Sequence, residues 1–441
     1  MAIVWILGKL IVAIAIAALA LNIRTPLLAS WRSPWVIVGL FAVSGLLIGW
    51  ELRRFARNRV QQVGRWSVLA VAIAALSIAS TNEVKFHWAK HRVLAADPAQ
   101  LAKLGEHFIV GYRDFDEVAA LVKRGAVGGV FLTRRNVDGK TVAQIRETVD
   151  RLQAMRRDRN LPPLWIATDQ EGGVVSRLSP PLPAQPSLGD AIANYDQATE
   201  RQQAAARYAR TQAAGLAAAG VNLNLAPVVD LNKGIRNPED KYSRIYQRAI
   251  AASHITVTQV ALTYCQELDA AGIRCTLKHF PGLGRVETDT HVARASLSVP
   301  LEILRQDDWR PFNQVTQILP VPIMLSHLLL TELDAKHPVS FSKAAIRDLL
   351  RRDWQYDGLL LTDDLCMKAA YGSDAGVEGA TLLALNAGAD LMLITYDPAM
   401  YYPAMAALLR ADRLGQMNQA TLQKSHRRLQ TWSPKFQGHA T

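Results

Sequence analysis

The sequence predicts an α/β fold in which a (β/α)8 barrel of the TIM type follows an N-terminal helical transmembrane region. Three observations support this prediction: apolar stretches open the chain, short apolar runs alternate with longer amphipathic segments from about residue 100, and the short runs number eight. Alternating strands and helices at this length are typical of a parallel sheet, and eight repeats favour a closed barrel. A doubly wound sheet, the alternative, is typically marked by a Gly-x-Gly-x-x-Gly turn after its first strand, and the sequence has none there.

Charge is unevenly distributed along the 441 residues, which carry 50 Lys and Arg against 38 Asp and Glu, a net charge of +12. Within residues 1–82, eight Lys and Arg face a single acid, Glu51, so this segment holds +7 of that charge. The remaining residues are mildly basic and contain no basic run with interleaved aromatic residues, the pattern typical of nucleic-acid-binding domains. We therefore expect no nucleic-acid partner.

Residues 1–82 form the predicted membrane region, with about three transmembrane helices. The apolar stretches are Ile3–Leu21, interrupted only by Lys9, and the uncharged segments Trp35–Trp50 and Trp66–Thr81. Each approaches the ~17–25 residues that cross the hydrocarbon core of a bilayer. The alternative is a buried helical hairpin in a soluble protein. Tryptophans near the ends of the stretches are typical of anchors at the membrane surface; they are Trp31, Trp35, Trp50 and Trp66.

Residues 51–65, between the second and third stretches, predict the orientation in the membrane because they form the more basic of the two loops. Basic loops stay in the cytoplasm, so everything after Thr81 is expected outside it, as a periplasmic domain held on the inner membrane. Alternatively, Ala18-Leu19-Ala20 ends a cleaved signal peptide, and cleavage there leaves this orientation unchanged. The first loop holds only Arg24 and Arg32. The segment at residues 51–65 holds Arg53, Arg54, Arg57, Arg59 and Arg65 against Glu51 alone.

Beyond the membrane region we expect a linker at residues 83–99, the barrel at residues 100–430 and a C-terminal tail at residues 431–441. Helical segments rich in Ala, Leu, Arg and Gln, such as Arg201–Ala219 and Ala251–Ala271, separate the short runs. The eight runs interpreted as strands are Phe108–Gly111, Gly129–Leu132, Leu164–Ala167, Val221–Leu225, Ile273–Leu277, Pro322–Leu325, Gly358–Leu361 and Leu391–Ile394.

Polar and charged residues follow five of the predicted strands. Because the active sites of such barrels lie at the carboxyl ends of the strands, these side chains are expected to converge on one mouth. This convergence predicts an enzyme. The segments, in strand order, are Thr168-Asp169-Gln170-Glu171-Gly172-Gly173, Ala226-Pro227-Val228-Val229-Asp230, Lys278-His279-Phe280-Pro281-Gly282, Ser326-His327 and Thr362-Asp363-Asp364.

This set of carboxylates, imidazoles and cations suits hydrolysis of a polar, neutral substrate such as a sugar. Retaining glycoside cleavage requires a carboxylate nucleophile and a proton donor. Asp363 ends a buried run, as a nucleophile requires, although it could instead cap the following helix. Asp289 and His291 lie two positions apart on a Gly-rich loop, where the carboxylate could orient the imidazole; most such pairs are ordinary loop residues. Lys278 and His279 could donate hydrogen bonds to sugar hydroxyls, and a buried core histidine is the alternative for His279.

The chain has three cysteines and no Cys-x-x-Cys spacing, which argues against a disulfide framework or a zinc knuckle. Cys265 and Cys275 could pair in an oxidising compartment. The favoured interpretation is that they are buried free thiols, like Cys366.

Together these segments resemble glycoside hydrolase family 3, in particular its single-domain bacterial β-N-acetylglucosaminidases (β-hexosaminidases) of cell-wall recycling. The resemblance covers roughly residues 100–430, and several motifs occur in the family's order. They are Asp169-Gln170-Glu171-Gly172-Gly173, Ala226-Pro227-Val228 with Asp230, Lys278-His279-Phe280-Pro281-Gly282, Asp289-x-His291, Thr362-Asp363-Asp364-Leu365 and Asn386-Ala387-Gly388-Ala389-Asp390.

The resemblance implies a retaining, exo-acting hydrolase that removes terminal β-linked N-acetylglucosamine from peptidoglycan-derived fragments without a cofactor or metal. It implies that Asp363 is the nucleophile and that His291 is the general acid/base with Asp289 as its partner. The residues that it assigns to sugar binding are Asp169, Arg177, Arg244, Lys278 and His279.

Three features depart from the family pattern, and all bear on sugar specificity. Leu283 and Val174 stand where the family often has His and Arg, and the segment Lys241-Tyr242-Ser243-Arg244-Ile245-Tyr246 is looser than the usual motif. Three alternatives remain open from the sequence. They are a β-glycosidase with another sugar specificity, a membrane-anchored wall-binding protein without turnover, and a metal-dependent hydrolase with His279, Asp289, His291 and His327 as ligands.

Overall fold

The computed structural model describes residues 2–56, 58–372 and 376–435. Arg57 of the arginine-rich segment and residues 436–441 of the predicted tail lie outside the described residues. The chain divides into two compact units, Met1–Ala95 and Ala96–Thr441.

The first unit contains three helices, α1 (Ala2–Asn22), α2 (Pro34–Leu52) and α3 (Arg59–Leu94). All three are long and apolar enough to cross a membrane. Ser33 and Asn58 cap α2 and α3 by accepting hydrogen bonds from backbone N–H groups of the first turn. The helices pack through small and branched side chains, which allow their backbones to approach closely; the buried ones include Ile16, Ala20, Leu40, Ala75 and Ala79.

Two ion pairs join helices within this unit. Lys9 of α1 pairs with Glu51 at the end of α2, and both side chains are largely buried. Arg24, just after α1, pairs with Glu83 of α3 and lies 3.7 Å above the ring centroid of Phe86.

Helix α3 continues to Leu94, through most of the linker predicted at residues 83–99. It does so because no Gly or Pro interrupts the chain between Glu83 and Pro98.

The second unit is built on an eight-stranded parallel sheet in the order β4-β3-β2-β1-β8-β7-β6-β5. Each strand overlaps one of the eight predicted runs. The strands are β1 (Phe108–Val110), β2 (Gly129–Leu132), β3 (Trp165–Thr168), β4 (Leu223–Asn224), β5 (Leu277–Phe280), β6 (Ile323–Leu325), β7 (Leu360–Asp364) and β8 (Leu391–Ile394).

The two edge strands of this order, β4 and β5, are joined by two backbone hydrogen bonds of the parallel type. Each bond has one partner in a strand and the other in the segment next to a strand. Asn224 N–H donates to the carbonyl of Arg274 over 2.8 Å, and Val229 N–H donates to the carbonyl of Lys278 over 2.9 Å. These contacts correct the predicted position of β5. The apolar run from Ile273 marks burial next to β4, while the regular strand begins four residues later and includes Lys278 and His279.

Helices alternate with the strands along the chain, and buried apolar side chains of the strands, such as Ile109, Phe131, Met324 and Leu393, pack together in one core cluster. Two short strand pairs, Gln170–Gly172 with Val175–Ser176 and Ser296–Leu297 with Leu329–Leu330, lie in the connections. The helices are α4 (Pro98–Gly105), α5 (Phe115–Lys123), α6 (Arg134–Val137), α7 (Val142–Arg157), α8 (Leu188–Ile192), α9 (Ala198–Ala218), α10 (Ile245–Arg248), α11 (His254–Ala270), α12 (Leu301–Gln306), α13 (Arg310–Ile318), α14 (Lys368–Tyr371), α15 (Gly376–Ala387), α16 (Tyr401–Arg413) and α17 (Gln419–Trp432), with a π-helix at Ala344–Asp353.

A disulfide joins Cys265 of α11 to Cys275 just before β5, with the two Cα atoms 5.4 Å apart. The interpretation of these cysteines as free thiols was therefore wrong. The fold accounts for the pairing, because α11 packs back onto the sheet and brings its C-terminal half beside the segment that enters β5. Cys366 is a buried free thiol, as expected.

Candidate active site

A buried network of charged side chains joins Lys278 within β5 to the segment that follows β3. Lys278, almost fully buried, pairs with Asp169 and with Glu171, whose Oε1 lies 2.5 Å from Lys278 Nζ. Arg248 binds Glu171 through two hydrogen bonds of 2.8 and 2.7 Å. Burial opposes ionisation of Glu171, but Arg248 and Lys278 outweigh it and hold the pKa of that carboxyl below its ordinary value. The network thus keeps the buried carboxylate of Glu171 ionised between Arg248 and Lys278.

His279 is held beside this network by Asp230. The Nδ1 atom of His279 lies 2.7 Å from the buried carboxylate of Asp230, which also accepts the backbone N–H groups of His279 and Leu283. Arg248 Nη2 lies 3.3 Å from Nε2 of the same ring. A carboxylate only accepts hydrogen bonds, so the proton is on Nδ1 and the ring is fixed in one orientation.

Asp363 is partly buried at the end of β7. Burial disfavours its charged form, but the nearby imidazoles of His279, His327 and His291 outweigh this and hold the pKa of Asp363 below its ordinary value. The backbone N–H of Asp364 also donates to Asp363 Oδ1 over 2.8 Å. Asp363 is therefore an ionised carboxylate on a rigid element.

The residues around Asp363 hold it in place. Burial lowers the pKa of His327, whose Nε2 donates to the carbonyl of Asp364 over 3.1 Å while Nδ1 accepts from the Ser340 hydroxyl over 2.7 Å. The Asp364 carboxylate accepts hydrogen bonds from the hydroxyl of Thr395 and from backbone groups of Cys366 and Thr395. Neither aspartate is the N-cap of α14, which is Met367, and of the two it is Asp364 that makes these contacts with Cys366 and Thr395.

Asp289 and His291 form a hydrogen-bonded pair on the segment between β5 and Ser296. Nδ1 of His291 lies 2.8 Å from Asp289 Oδ1. Asp289 is buried, whereas the His291 side chain is 39% exposed and thus open to a ligand. Burial of Asp289 opposes its ionisation, but hydrogen bonds from His291 and from the backbone hold its pKa below the ordinary value.

Neighbouring elements support the segment that carries this pair. The backbone carbonyl of His291 accepts the N–H of Lys368 in α14, over 3.0 Å, so the segment is joined to the residues that follow Asp363. Tyr242 donates its N–H to Asp289, and its ring centroid lies 5.8 Å from that of His291. Asp240 lies beside Asp289, and burial together with the negative charge of Asp289 raises the pKa of Asp240.

Two predicted sugar-binding arginines are less closely connected to this network. Arg177 is exposed, and its backbone N–H donates to the carbonyl of Asp169. Arg244 has a left-handed backbone (φ 44°), and its N–H donates to Asp240. The arginine that contacts Glu171 and His279 is Arg248, which sequence reasoning missed. A buried arginine requires a partner, but the motif at residues 241–246 contains Arg244, so the prediction fell on Arg244, four residues before Arg248.

The described ranges contain no group of three or more His, Cys, Asp or Glu side chains arranged to hold a metal ion. The four proposed ligands of the metal-dependent alternative have separate partners: His279 pairs with Asp230, His291 with Asp289, and His327 with Ser340. These residues therefore do not form the predicted ligand set.

Comparison with known proteins covers most of the second unit. The sequence profile of the Glycosyl hydrolase family 3 N terminal domain matches residues 99–432. The chain is 36% identical over 302 residues to a beta-hexosaminidase of Xanthomonas oryzae pv. oryzae, a match that covers 68% of this chain and 84% of that protein. A beta-hexosaminidase of Idiomarina loihiensis is 31% identical over 322 residues, covering 71% and 92% of the two chains.

Solved structures give the same result for the fold. A glycoside hydrolase family 3 beta-N-acetylglucosaminidase from Paenibacillus sp. matches with a TM-score of 0.69 at 29% identity, over 75% of this chain and 61% of that longer chain. A Beta-N-acetylhexosaminidase from Beutenbergia cavernae matches with a TM-score of 0.65 at 28% identity, over 75% of this chain and 97% of that one.

Proposed function

Because the chain belongs to glycosyl hydrolase family 3, it is a glycosidase, and we propose that it acts on N-acetylhexosamines. We further propose that it removes β-linked N-acetylglucosamine from non-reducing ends and retains the anomeric configuration. The beta-hexosaminidase names of its relatives support the choice of sugar.

The observation that carries the mechanism is that the ionised Asp363 lies near the accessible imidazole of His291, which the buried carboxylate of Asp289 holds. In the first step, Asp363 attacks the anomeric carbon as the glycosidic bond breaks, and His291 gives its proton to the departing oxygen. This forms a covalent glycosyl-enzyme. In the second step, His291 takes a proton from water, water attacks the anomeric carbon, and Asp363 leaves as a carboxylate.

The charged network is proposed to bind the sugar at the non-reducing end. Asp169 and Lys278 would form hydrogen bonds with hydroxyl groups, and His279, oriented by Asp230, would accept a third at Nε2. Arg248 lies in this network and is proposed as an additional binding residue. Arg177 and Arg244 remain predictions for the rim of the site.

We also propose that the sheet closes into the (β/α)8 barrel, with residues 100–430 as the catalytic domain. The backbone hydrogen bonds between the edge strands β4 and β5 support this closure. A closed barrel would bring the ends of β3, β5 and β7 around one mouth, as the chemistry requires.

The proposed location is the inner membrane, with the catalytic domain in the periplasm. Three helices apolar enough to cross a membrane and the arginines before α3 support this topology. The disulfide between Cys265 and Cys275 supports an oxidising compartment. In that compartment peptidoglycan-derived fragments are the expected source of N-acetylglucosaminides.

The test is hydrolysis of a chromogenic β-N-acetylglucosaminide by the full chain in detergent. We expect turnover by the unmodified protein and loss of about a thousandfold or more in Asp363→Asn and His291→Ala. Asp116→Asn, at an exposed aspartate in the first turn of α5 that is not among the candidate site residues, is the matched control and should keep full activity. An NMR time course of the released sugar tests retention, because the first product must be the β-anomer.

Three outcomes would overturn parts of this proposal. Unchanged turnover in Asp363→Asn would remove the nucleophile assignment. Turnover of a β-glucoside but not of the N-acetylglucosaminide would indicate another sugar specificity. Binding of wall fragments without turnover of either substrate would indicate a glycan-binding protein.

A further inference from the structure

A cleft lies at the amino ends of β7 and β8, opposite the strand ends that carry the candidate catalytic residues. Its volume is about 550 Å³, and it lies between the π-helix Ala344–Asp353 and α17. Tyr356 and Gly388, which precede β7 and β8, contribute to its floor. This volume falls in the range of about 300–1,000 Å³ that is typical of small-molecule sites.

The lining of the cleft is strongly basic. Asp357 is its only acidic lining residue, and it already contacts Arg428 over 3.3 Å. Within residues 2–56, 58–372 and 376–435, no ion pair is formed by Lys343, Lys424 or Arg427. Like charges in one cleft produce a positive potential that an anion would neutralise. The cationic lining residues are Lys343, Arg347, Arg351, Lys424, Arg427 and Arg428.

The guanidinium groups of Arg351 and Arg428 are held in place by the carboxylate of Asp390, which is fully buried. Asp390 accepts hydrogen bonds from Arg351 over 2.6 Å, Arg428 over 2.9 Å and the Ser425 hydroxyl over 2.6 Å. Arg351 also donates to the carbonyls that precede β7, yet its Nε–H has no partner among the described residues. The side chains therefore lose little conformational freedom when a ligand binds.

We propose that this cleft is a binding site for a phosphate-bearing ligand. Fixed arginines bind phosphate oxygens with matched geometry, and the exposed Lys343, Lys424 and Arg427 supply charge to neutralise a dianion. Trp432 and Ile346 form an apolar part of the wall that suits the organic group of a phosphate ester. The ligand is either a soluble phosphate ester or a phospholipid headgroup, which share this chemistry.

Because the cleft and the candidate active site lie at opposite ends of the strands, binding does not depend on the glycosidase mechanism. Substitutions of exposed cleft residues should therefore leave hydrolysis unchanged. This provides a check on folding that is separate from the binding measurement.

The experiment is calorimetric titration of the full chain, in nanodiscs of zwitterionic lipid, with inorganic pyrophosphate. We expect saturable binding that weakens by about tenfold or more in the double variant Lys424→Gln/Arg427→Gln. The charge-matched control is Lys140→Gln/Arg310→Gln, which removes two exposed cations away from the cleft and should bind like the unmodified chain. Glycerol phosphate and dihexanoyl phosphatidic acid then distinguish the sources, since tighter binding of the second identifies a lipid headgroup and equal binding a soluble ester.

Absence of saturable pyrophosphate binding to the unmodified chain overturns the proposal. Equal weakening in the cleft variant and in the control also overturns it, because that result indicates attraction by net charge alone. A weakening confined to the cleft variant, with hydrolysis intact in both double variants, supports the site.

Discussion

Asp289 holds His291 by two hydrogen bonds, one from the backbone N–H over 2.9 Å and one with the ring Nδ1 over 2.8 Å. Both contacts form within a single Asp-Thr-His segment, and Tyr242 supports them by donating its N–H to Asp289 and placing its ring beside that of His291. With its proton on Nδ1, the ring leaves Nε2 as the atom that exchanges a proton with substrate and water. The buried carboxylate also stabilises the imidazolium that the proposed mechanism requires.

Replacing Asp289 by Asn is expected to lower kcat by about a hundredfold or more, because the amide neither fixes the tautomer nor stabilises the charged ring. KM should change much less, since the Asp289 carboxylate accepts hydrogen bonds from Tyr242 and His291 and not from the charged network of Asp169, Glu171, Lys278 and Arg248. Steady-state kinetics on the chromogenic substrate measure both constants, with Asp116→Asn as the control. A fall in kcat of less than about threefold would show that the pair does not serve proton transfer.

The pH dependence of activity follows from the carboxylates. The pKa values of Asp363 and Asp289 both lie below the ordinary value of 3.8. Because a depressed pKa keeps the carboxylate ionised down to that lower pH, kcat/KM should not fall on the acid side until below about pH 4. The same sign applies to stability: the contribution of these ionised groups is present above the unfolded pKa and is lost as the pH falls through the folded values. Parallel circular dichroism separates loss of catalysis from unfolding, and an acid limb centred above about pH 5 contradicts the assignment.

The sequence predicted the number of strands and the segments that follow them, because apolar runs and polar strand ends are local signals. It did not predict where β5 begins, since an apolar run reports burial and not participation in a ladder. Lys278 and His279 thus lie within a strand that sequence reasoning ended at Leu277.

The two missed features depend on how elements pack in the folded chain and not on a local pattern. The Cys265–Cys275 bridge requires α11 to pack beside the entry to β5, which no spacing in the chain reveals. Arg248 is identified by the two hydrogen bonds to Glu171, 77 residues away, whereas the sequence around it offers no distinctive motif. Local patterns therefore predict which polar segments follow the strands, but not which of two nearby arginines joins the charged network.

Glu171→Gln should destabilise the catalytic domain, because it leaves Arg248 and Lys278 without one of their buried partners. Breaking a buried ion pair from one side typically costs about 3–5 kcal/mol. The matched control is Glu267→Gln, which removes the partner of the exposed Arg210 and should cost less than about 1 kcal/mol. Thermal unfolding in the same detergent compares the two variants. Equal effects would mean that the Glu171 network contributes no more than a surface pair.

The disulfide gives a prediction that tests the fold and the location together. Thiol labelling of the denatured, unreduced chain purified from its native membrane should detect Cys366 alone, and reduction should expose all three cysteines. The double variant Cys265→Ser/Cys275→Ser should lose roughly 2–3 kcal/mol of stability, as expected for closure of a loop of about ten residues. Cys366→Ser, which removes the free thiol, is the control and should leave the bridge intact. Three labelled thiols before reduction would place the domain in a reducing compartment and would contradict the periplasmic orientation.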